Sequence, residues 1–552
     1  MILKKLAILA MSFLLVGLTA CGNAGGNNAE NQAGNTVTTA PIEEQEQTEQ
    51  VSKDPFGKLL EQIEVTMAKS VGNGPPQNMP EGETLTDNQL ITLANDTFGV
   101  KLTYAWTAQD SAYDQKLKLD IASNKLPDIF MVQNYSDYVD LVKNGMVEDL
   151  TEVYKDYASD RIKSLYQSDN GKGLETLTVD GKFYGIPGLG MVDNNVQEVW
   201  LRKDWLDKYQ VAEPKTLDDL RNIVKVFNEK EGTTGIPGTG VIDGFVNPLD
   251  SYDGIFQVNH SSPGLWVKGA DGKVVYGSTT PETKKALSLI RDMYQEGTID
   301  KEFATSKSEM VTQKVASGKA GVYLGPWWSG WSPLADSYKQ DPSAIWRAYL
   351  LQDEKGKSFG RQEAPINNIA VVKKGFKYPE LVVKLLNLYA DGEKSPYKNM
   401  APRPDAHTAP VPLSIAKADE PIQMHLIITK MVKGDTVAPD DYFNAVGIER
   451  MQKVADAIKA GEDKMGDVYG EAISRSFGFA PMVNNPNYNR VYSEFYGMTP
   501  TMSKRWANLK KLESEAFLQI VLGNKPLEYF DEFVQQWNTQ GGEQITSEVN
   551  GN

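Results

Sequence analysis

Few residues in this 552-residue chain are spaced for covalent or metal chemistry. The three histidines, His260, His407 and His425, are scattered, whereas zinc needs several nitrogen or sulfur ligands converging on one point. Gly356-Lys357-Ser358 has the end of a phosphate-binding loop, but position 351 is leucine where that loop requires glycine. Gly188-Leu189-Gly190 and Gly238-Thr239-Gly240 lack the third glycine of a dinucleotide turn. The chain has no Gly-x-Ser-x-Gly elbow and no His-Glu-x-x-His helix, and acid pairs such as Asp218-Asp219 read as solvated helix starts. What the residue types do offer is non-covalent. Ten tryptophans and 24 tyrosines give flat apolar faces able to cover a polar ring, or to fill a core. Trp327, Trp328 and Trp331 stand directly after a short glycine-bounded stretch, Gly318 to Gly325. Trp106, Tyr113 and Trp506 are further aromatic candidates, and large aromatics more often fill cores than line ligand walls.

The elements that would position them alternate in type. Ile63 to Ala68 has the period of a half-buried strand, Gln89 to Phe98 reads as a helix, and Val100 to Tyr104 as a second strand. Tyr113 to Ser123 is a second helix, and Leu126-Pro127-Asp128 leads into a third strand ending near Val132. That order predicts a parallel α/β sheet, whose ligands bind beyond the carboxyl ends of the strands. Gln133, Asn134 and Tyr135 follow the third strand and so are placed to face a cleft. Asp128, at the start of that strand, suits either a brace or a hydrogen bond to a hydroxylated ligand. Farther on, Glu198 to Tyr209 reads as strand into helix, and Thr216-Leu217-Asp218-Asp219 as a capping box variant. Ile366 to Lys373 reads as a strand, Glu380 to Tyr389 as a helix, and Ser503 to Trp537 is amphipathic and helical.

The amino-terminal stretch has three zones: Lys4 and Lys5, an apolar run from Leu6 to Leu18, and Leu18-Thr19-Ala20-Cys21. The run is well short of the roughly 20 residues of a membrane-spanning helix and suits a secretory leader. Leu-Thr-Ala-Cys resembles the bacterial lipobox, which implies cleavage before Cys21 and lipid on its sulfur. Cys21 is the sole cysteine, so the chain forms no internal disulfide. Residues 22 to about 54 are too poor in large apolar side chains to offset their ordering entropy and read as a polar tether. Without Lys4 and Lys5 the formal charge moves from −16 to −18, a poor match to nucleic acid, whose phosphates need clustered Lys and Arg.

In chain order, the lipobox, the tether, ASNKLPDIFMVQN, DGKFYGIP, VWLRKDWLDKYQVAEPKTLDDL, SGKAGVYLGPWW and FVQQWNTQGG resemble the extracellular solute-binding lipoproteins of carbohydrate ABC importers. The likeness is to the large LplA-like and alginate-oligosaccharide-binding branch. It implies a two-lobed periplasmic-binding-protein type II fold, α/β in class, with a hinge between the lobes. On that reading residues 1–20 are the leader and 21–54 the tether. Residues 55–184 plus about 361–395 form lobe I; residues 185–360 plus about 396–552 form lobe II with the C-terminal helices. The chain would cross between lobes near Gly185, near Arg361 and after Tyr389. The resemblance also implies an oligosaccharide ligand, a membrane permease as partner, a monomer held on the outer face of the cell membrane, and no cofactor. Trp327 corresponds to a tryptophan that stacks on a sugar ring in the alginate-binding relatives. Trp328, Trp331, Asp128, Asn134, Tyr135, Tyr113, Trp106 and Trp506 complete the expected ligand wall.

Two other readings share the anchor and the aromatics: a surface polysaccharide-degrading enzyme, which needs a converging acid and base, and a sugar-sensing subunit of a membrane kinase. The alginate-binding relatives carry an acidic calcium loop after the helix that ends here near Phe227. This chain has Asn228-Glu229-Lys230-Glu231-Gly232-Thr233-Thr234-Gly235-Ile236, without alternating acids, and calcium needs several oxygen ligands in close order. Crystals grown with calcium are therefore expected to show no anomalous scattering between Glu229 and Gly235; a peak there would overturn the reading.

Overall fold

The computed structural model describes residues 53–71, 79–240, 249–362, 364–390, 396–397, 406–411, 413, 416–439, 443 and 445–551. The leader, Cys21 and nearly all of the expected tether lie outside them. Lys53 and Asp54, at the end of that tether, are tied to the folded body. The Lys53 ammonium meets Asp156 at 2.8 Å, and Lys384 donates to the Asp54 carbonyl at 2.5 Å. Among the described residues no helix is long and apolar enough to cross a membrane.

The strands that carry the architecture are β1 (Ile63–Ser70), β2 (Val100–Ala108), β3 (Ile129–Val132), β4 (Gly185–Leu189), β5 (Glu198–Arg202), β6 (Val322–Gly325), β7 (Trp346–Tyr349), β8 (Ser358–Arg361), β9 (Ile366–Val372) and β10 (Tyr488–Val491). The first sheet has the order β2-β1-β3-β9-β4. β2 and β3 run parallel to β1, with Val65 opposite Leu102 and Met67 opposite Ile129, while β9 runs antiparallel to both β3 and β4. The carboxyl ends of β1 to β4 therefore share one edge with the amino end of β9. Helix Gln89–Phe98 joins β1 to β2, capped by the Asn88 side chain on the Leu90 and Ile91 amides and ended by Gly99 in the left-handed region. The continuous apolar runs of β3 and β9 are buried on both faces, among Phe98, Tyr113, Tyr166 and the helix Glu380–Ala390.

The second lobe is built on the antiparallel sheet β6-β5-β7, with Gly325 opposite Glu198 and Ala348 opposite Trp200. One of its faces packs Trp205, Phe227, Leu287 and the C-terminal helices Met502–Val521 and Tyr529–Trp537. The other packs Trp200, Trp346, Tyr469 and the helices Glu420–Lys433 and Ala445–Ala460. The Thr216 capping box forms as expected, its hydroxyl accepting from the Asp219 amide. Beside this sheet, β8 and β10 pair in parallel.

Two boundaries differ from the sequence reading. β4 is the last strand of the first sheet and not the start of the second lobe, so the first crossing follows Leu189 rather than coming near Gly185. Gly190 then runs hard against the second crossing: its amide donates to the Pro365 carbonyl at 2.9 Å, and a Cβ there would stand 2.6 Å from the Ala364 oxygen. The first lobe also runs past its expected end near residue 395. Val411 and Leu413 are buried in the first core, and the chain departs near Ala418, whose amide meets the Ser168 hydroxyl and whose carbonyl accepts from Val192. Two isolated apolar residues in a proline-rich stretch carry no period, which hides their allegiance.

Asp128 is the brace between β3 and β1. Its carboxylate accepts from the Thr66 amide at 2.8 Å and the Thr66 hydroxyl at 2.7 Å, at the amino end of β3, away from the edge where the crossings leave. Asp128→Ala leaves two donors of Thr66 unanswered, which is expected to lower the unfolding free energy by about 1–3 kcal/mol in urea titrations. A loss under about 0.5 kcal/mol would show that the brace is immaterial.

Candidate functional site

Ligand chemistry in a two-lobed fold belongs at the edge where the lobes meet, so each wall is built from the strand ends that reach it. On the first lobe, β3 ends at Val132 and Asn134 and Tyr135 begin the next helix, Tyr135–Lys143. Asn134 is exposed, its amide nitrogen 2.9 Å from Asp114, and the Tyr135 hydroxyl donates to the Thr176 carbonyl at 3.0 Å. Burial pushes the Tyr135 hydroxyl above its ordinary pKa, so it remains a neutral donor.

Other expected members of the wall are engaged within the first lobe. Tyr113 is fully buried, and its hydroxyl both donates to the Met131 carbonyl and accepts from the Met131 amide; it anchors β3. Trp106 spends its indole N–H on Asp120 at 2.7 Å, packs against Tyr113 at 4.9 Å, and has the Lys116 ammonium 5.1 Å above its ring. Asp128 is occupied by Thr66.

On the second lobe, the antiparallel register puts Gly325 beside Glu198, the first strand residue after the crossing. The tryptophan turn, Trp327–Gly330, therefore starts at the edge facing the first lobe. Trp327 itself is only 4% exposed, its ring 4.6 Å from Phe479 and 5.3 Å from Trp331, with Val196 and Met482 closing the cluster. This corrects the expectation that Trp327 presents a free face. The cover is the wide π-helical turn Ile473–Gly478, where a Cβ on Gly478 would lie 2.9 Å from the Trp327 Cβ. Such turns recur at functional sites. Trp328 is half-buried and donates its indole N–H to the Asn194 carbonyl, in the first crossing, at 3.0 Å. Trp331 is 40% exposed, backed by the Arg475 guanidinium 5.4 Å from its ring, which Glu471 in turn holds at 2.8 Å. Of the three, Trp331 offers the accessible face.

Trp506 lies elsewhere, in an aromatic pocket of about 150 Å³ lined by Trp266, Ser493, Phe495, Tyr496, Met498 and Met502. Its ring stacks on Trp266 at 6.2 Å and 23°, and Tyr276 supports it edge-on at 5.2 Å. Behind them the buried Glu513 carboxylate accepts from Tyr276 and Ser278 at 2.8 Å each, and Tyr276 stacks on Trp537 at 5.0 Å. The pocket adjoins the boundary between lobes through Tyr492, which precedes Ser493 and lies 4.3 Å under the ammonium of Lys172 from the first lobe. The sequence reading passed over Trp266, Phe495 and Tyr496. The visible signal was the aromatic run Tyr492-Ser493-Glu494-Phe495-Tyr496, which follows neither a helical nor a strand period.

Among the described residues no three His, Cys, Asp or Glu side chains converge as a metal site. The loop after Phe227 is closed by Asn228 instead. Its side-chain oxygen accepts from Thr233 at 2.6 Å and the Gly235 amide at 3.0 Å, and its nitrogen donates to the Gly297 carbonyl at 3.1 Å.

Residues 83–392 match the bacterial extracellular solute-binding proteins. The chain belongs to that family. The polygalacturonan/rhamnogalacturonan-binding protein YtcQ of Bacillus subtilis is 26% identical over 260 residues, 45% of this chain and 47% of that one. The fructooligosaccharide ABC transporter substrate-binding protein FusA of Streptococcus pneumoniae is 28% identical over 234 residues, 40% and 43% of the two chains. This chain thus spans about half the length of the curated relatives it matches. The solved alginate-binding protein AlgQ2 superposes with a TM-score of 0.57 at 16% identity, covering 89% of this chain and 97% of its own, a likeness of fold.

One buried group at this edge stands apart. Glu198 is 0% exposed and neither carboxyl oxygen has a hydrogen-bond partner among the described residues. Burial pushes its pKa well above the carboxylate range, and the nearby Asp193 charge pushes the same way. The folded state therefore holds a proton that the unfolded chain releases at lower pH, and native stability falls as pH rises through that window. Glu198→Gln removes this titration. Its melting temperature is expected to gain on the native protein as pH rises above the ordinary carboxylate range, the gap widening upward. A gap constant with pH would refute the assignment.

Proposed function

We propose that this chain is the solute-capturing subunit of an ABC importer, held by lipid on Cys21 and closing its two lobes over an oligosaccharide. The observation that carries the reading is the aromatic pocket of Trp266, Phe495, Tyr496 and Trp506 beside the boundary between lobes. A cavity of similar volume accepts one six-membered ring. Flat indole faces suit the C–H face of a pyranose, and the aromatic pairs that hold them contribute roughly 0.5–1.5 kcal/mol each beyond burial. Across the boundary Asn134 offers an amide and Tyr135 a hydroxyl oxygen as acceptor to sugar hydroxyls, and Trp331 extends the platform along the second lobe. The names of the relatives, a polygalacturonan/rhamnogalacturonan-binding protein and a fructooligosaccharide substrate-binding protein, point to the same ligand class.

Capture then works by differential contact. The closed form gains hydrogen bonds from the first lobe and ring contacts from the second; the open form keeps one set only, so bound saccharide shifts the population toward closure. A permease that docks the closed form reads occupancy from shape. The acidic charge and the Leu18-Thr19-Ala20-Cys21 leader fit an exported, membrane-tethered receptor.

The test is thermal stabilisation by oligogalacturonides, rhamnogalacturonan fragments, kestose and xylo-oligosaccharides. A saccharide at 100 times its Kd stabilises the native state by about 2.7 kcal/mol. No shift across that panel, with a shift from peptides, would overturn the sugar reading. Trp506→Ala is expected to weaken the stabilising saccharide about tenfold, some 1.4 kcal/mol, measured against the variant's own empty state because the ring also packs on Trp266 and Tyr276. Trp327→Ala is expected instead to cost about 3–5 kcal/mol of stability, as a buried ring does.

A further inference from the structure

At the junction of the lobes the first crossing carries a buried carboxylate, Asp193, 1% exposed and held at φ +60°. Five hydrogen bonds answer it. Oδ1 accepts from Gln362 Nε2 at 2.9 Å, from the Tyr488 hydroxyl at 2.7 Å and from Arg490 Nε at 3.0 Å. Oδ2 accepts from Arg490 Nη2 at 2.7 Å and Nε at 3.1 Å, a bidentate pairing of the specific kind. The Asp193 amide returns a bond to Gln362 Oε1 at 2.9 Å, so residue 193 and residue 362 grip each other in both directions. Gln362 belongs to the second crossing, and its own amide donates to the Val491 carbonyl at the end of β10. One residue before Asp193, Val192 is bonded to Ala418 of the third crossing.

Both aromatic walls hang from this cluster. Asn194, the next residue, accepts the Trp328 indole N–H at 3.0 Å. Arg490 lies on β10, which runs through Tyr492 into Ser493, Phe495 and Tyr496 of the pocket. We propose that Asp193 is the positioning residue of capture: its carboxylate locks the first and second crossings to β10, sets the angle at which the lobes close, and so fixes the tryptophan turn relative to the aromatic pocket. The purpose rests on the capture reading above, but the mechanical claim does not, and it can be tested without saccharide.

Asp193→Asn is the informative change. Asparagine keeps the shape and tolerates positive φ, so the substitution removes the charge that Arg490 answers while sparing the backbone. The full chain carrying Cys21→Ser is spin-labelled at Leu119→Cys on the first lobe and Met310→Cys on the second, both exposed on helices, and interlobe distances are read by pulsed double resonance with no saccharide present. Asp193→Asn is expected to move or broaden the distance distribution by more than its native width. Asp128→Asn, a brace within the first lobe, is expected to leave it in place. If Asp193→Asn lowers the melting temperature with an unchanged distribution, the cluster merely stabilises the second lobe and the proposal fails. Should Asp193→Asn not fold, Gln362→Ala leaves the Asp193–Arg490 pair whole, and the same two outcomes decide.

Discussion

A charge taken out of water must be met by donors, and at the junction of the lobes that requirement falls on Asp193. Its five hydrogen bonds come from two separate chain segments, so the constraint is geometric as well as energetic. A bidentate guanidinium fixes orientation; a reciprocal pair with Gln362 fixes register. Removing either donor leaves a buried anion short of partners, which costs far more than an exposed pair contributes. The Trp328 indole, bonded to Asn194, and the aromatic run after β10 both continue from residues beside that carboxylate or paired with it.

Each aromatic wall sets a more accessible ring on buried rings that fix its angle. Trp327 is buried, and its place is to hold Trp331 and Phe479 at fixed angles under the π-helical turn. Trp506 is backed by Tyr276, which is itself stacked on Trp537 and hydrogen-bonded to Glu513. In each wall a half-exposed ring rests on fully buried ones, so its stacking face is held rigid before a ligand arrives. That preorganisation matters because ordering a side chain on binding subtracts from affinity.

The first sheet could be read from the chain because its periods are local: Ile63 to Ala68, Gln89 to Phe98 and the proline before β3 each announce themselves within a few residues. The family emerged from the order of several such segments, none decisive alone. The site was less legible. Trp327 looked like a ligand wall because it follows a strand end, and what buries it, Phe479 and Gly478, lies about 150 residues away in sequence. Tyr113 offered a ring and Asp128 a carboxylate for hydroxyls, and their polar atoms are taken by Met131 and Thr66. Trp266 was invisible because its partner Trp506 comes from the C-terminal helix. Long-range pairing, not residue type, decides which aromatic faces remain free.

Glu198 and Asp193 make the same point in electrostatic terms. Both carboxyls sit in or beside the first crossing, five positions apart, and both are removed from solvent. Asp193 is answered by a guanidinium, a phenol and an amide, whereas Glu198 faces Val199, Ile255, Val258 and Leu324 and has no such partner. The anion at 193 raises the cost of a second charge nearby, so the two groups cannot both ionise cheaply. Asp193 is met by donors from two segments; Glu198 stays neutral chiefly because it is buried without a partner, and the neighbouring Asp193 charge adds to that. The difference is created wholly by which side chains the crossings bring together, and no inspection of the four residues between them would predict it.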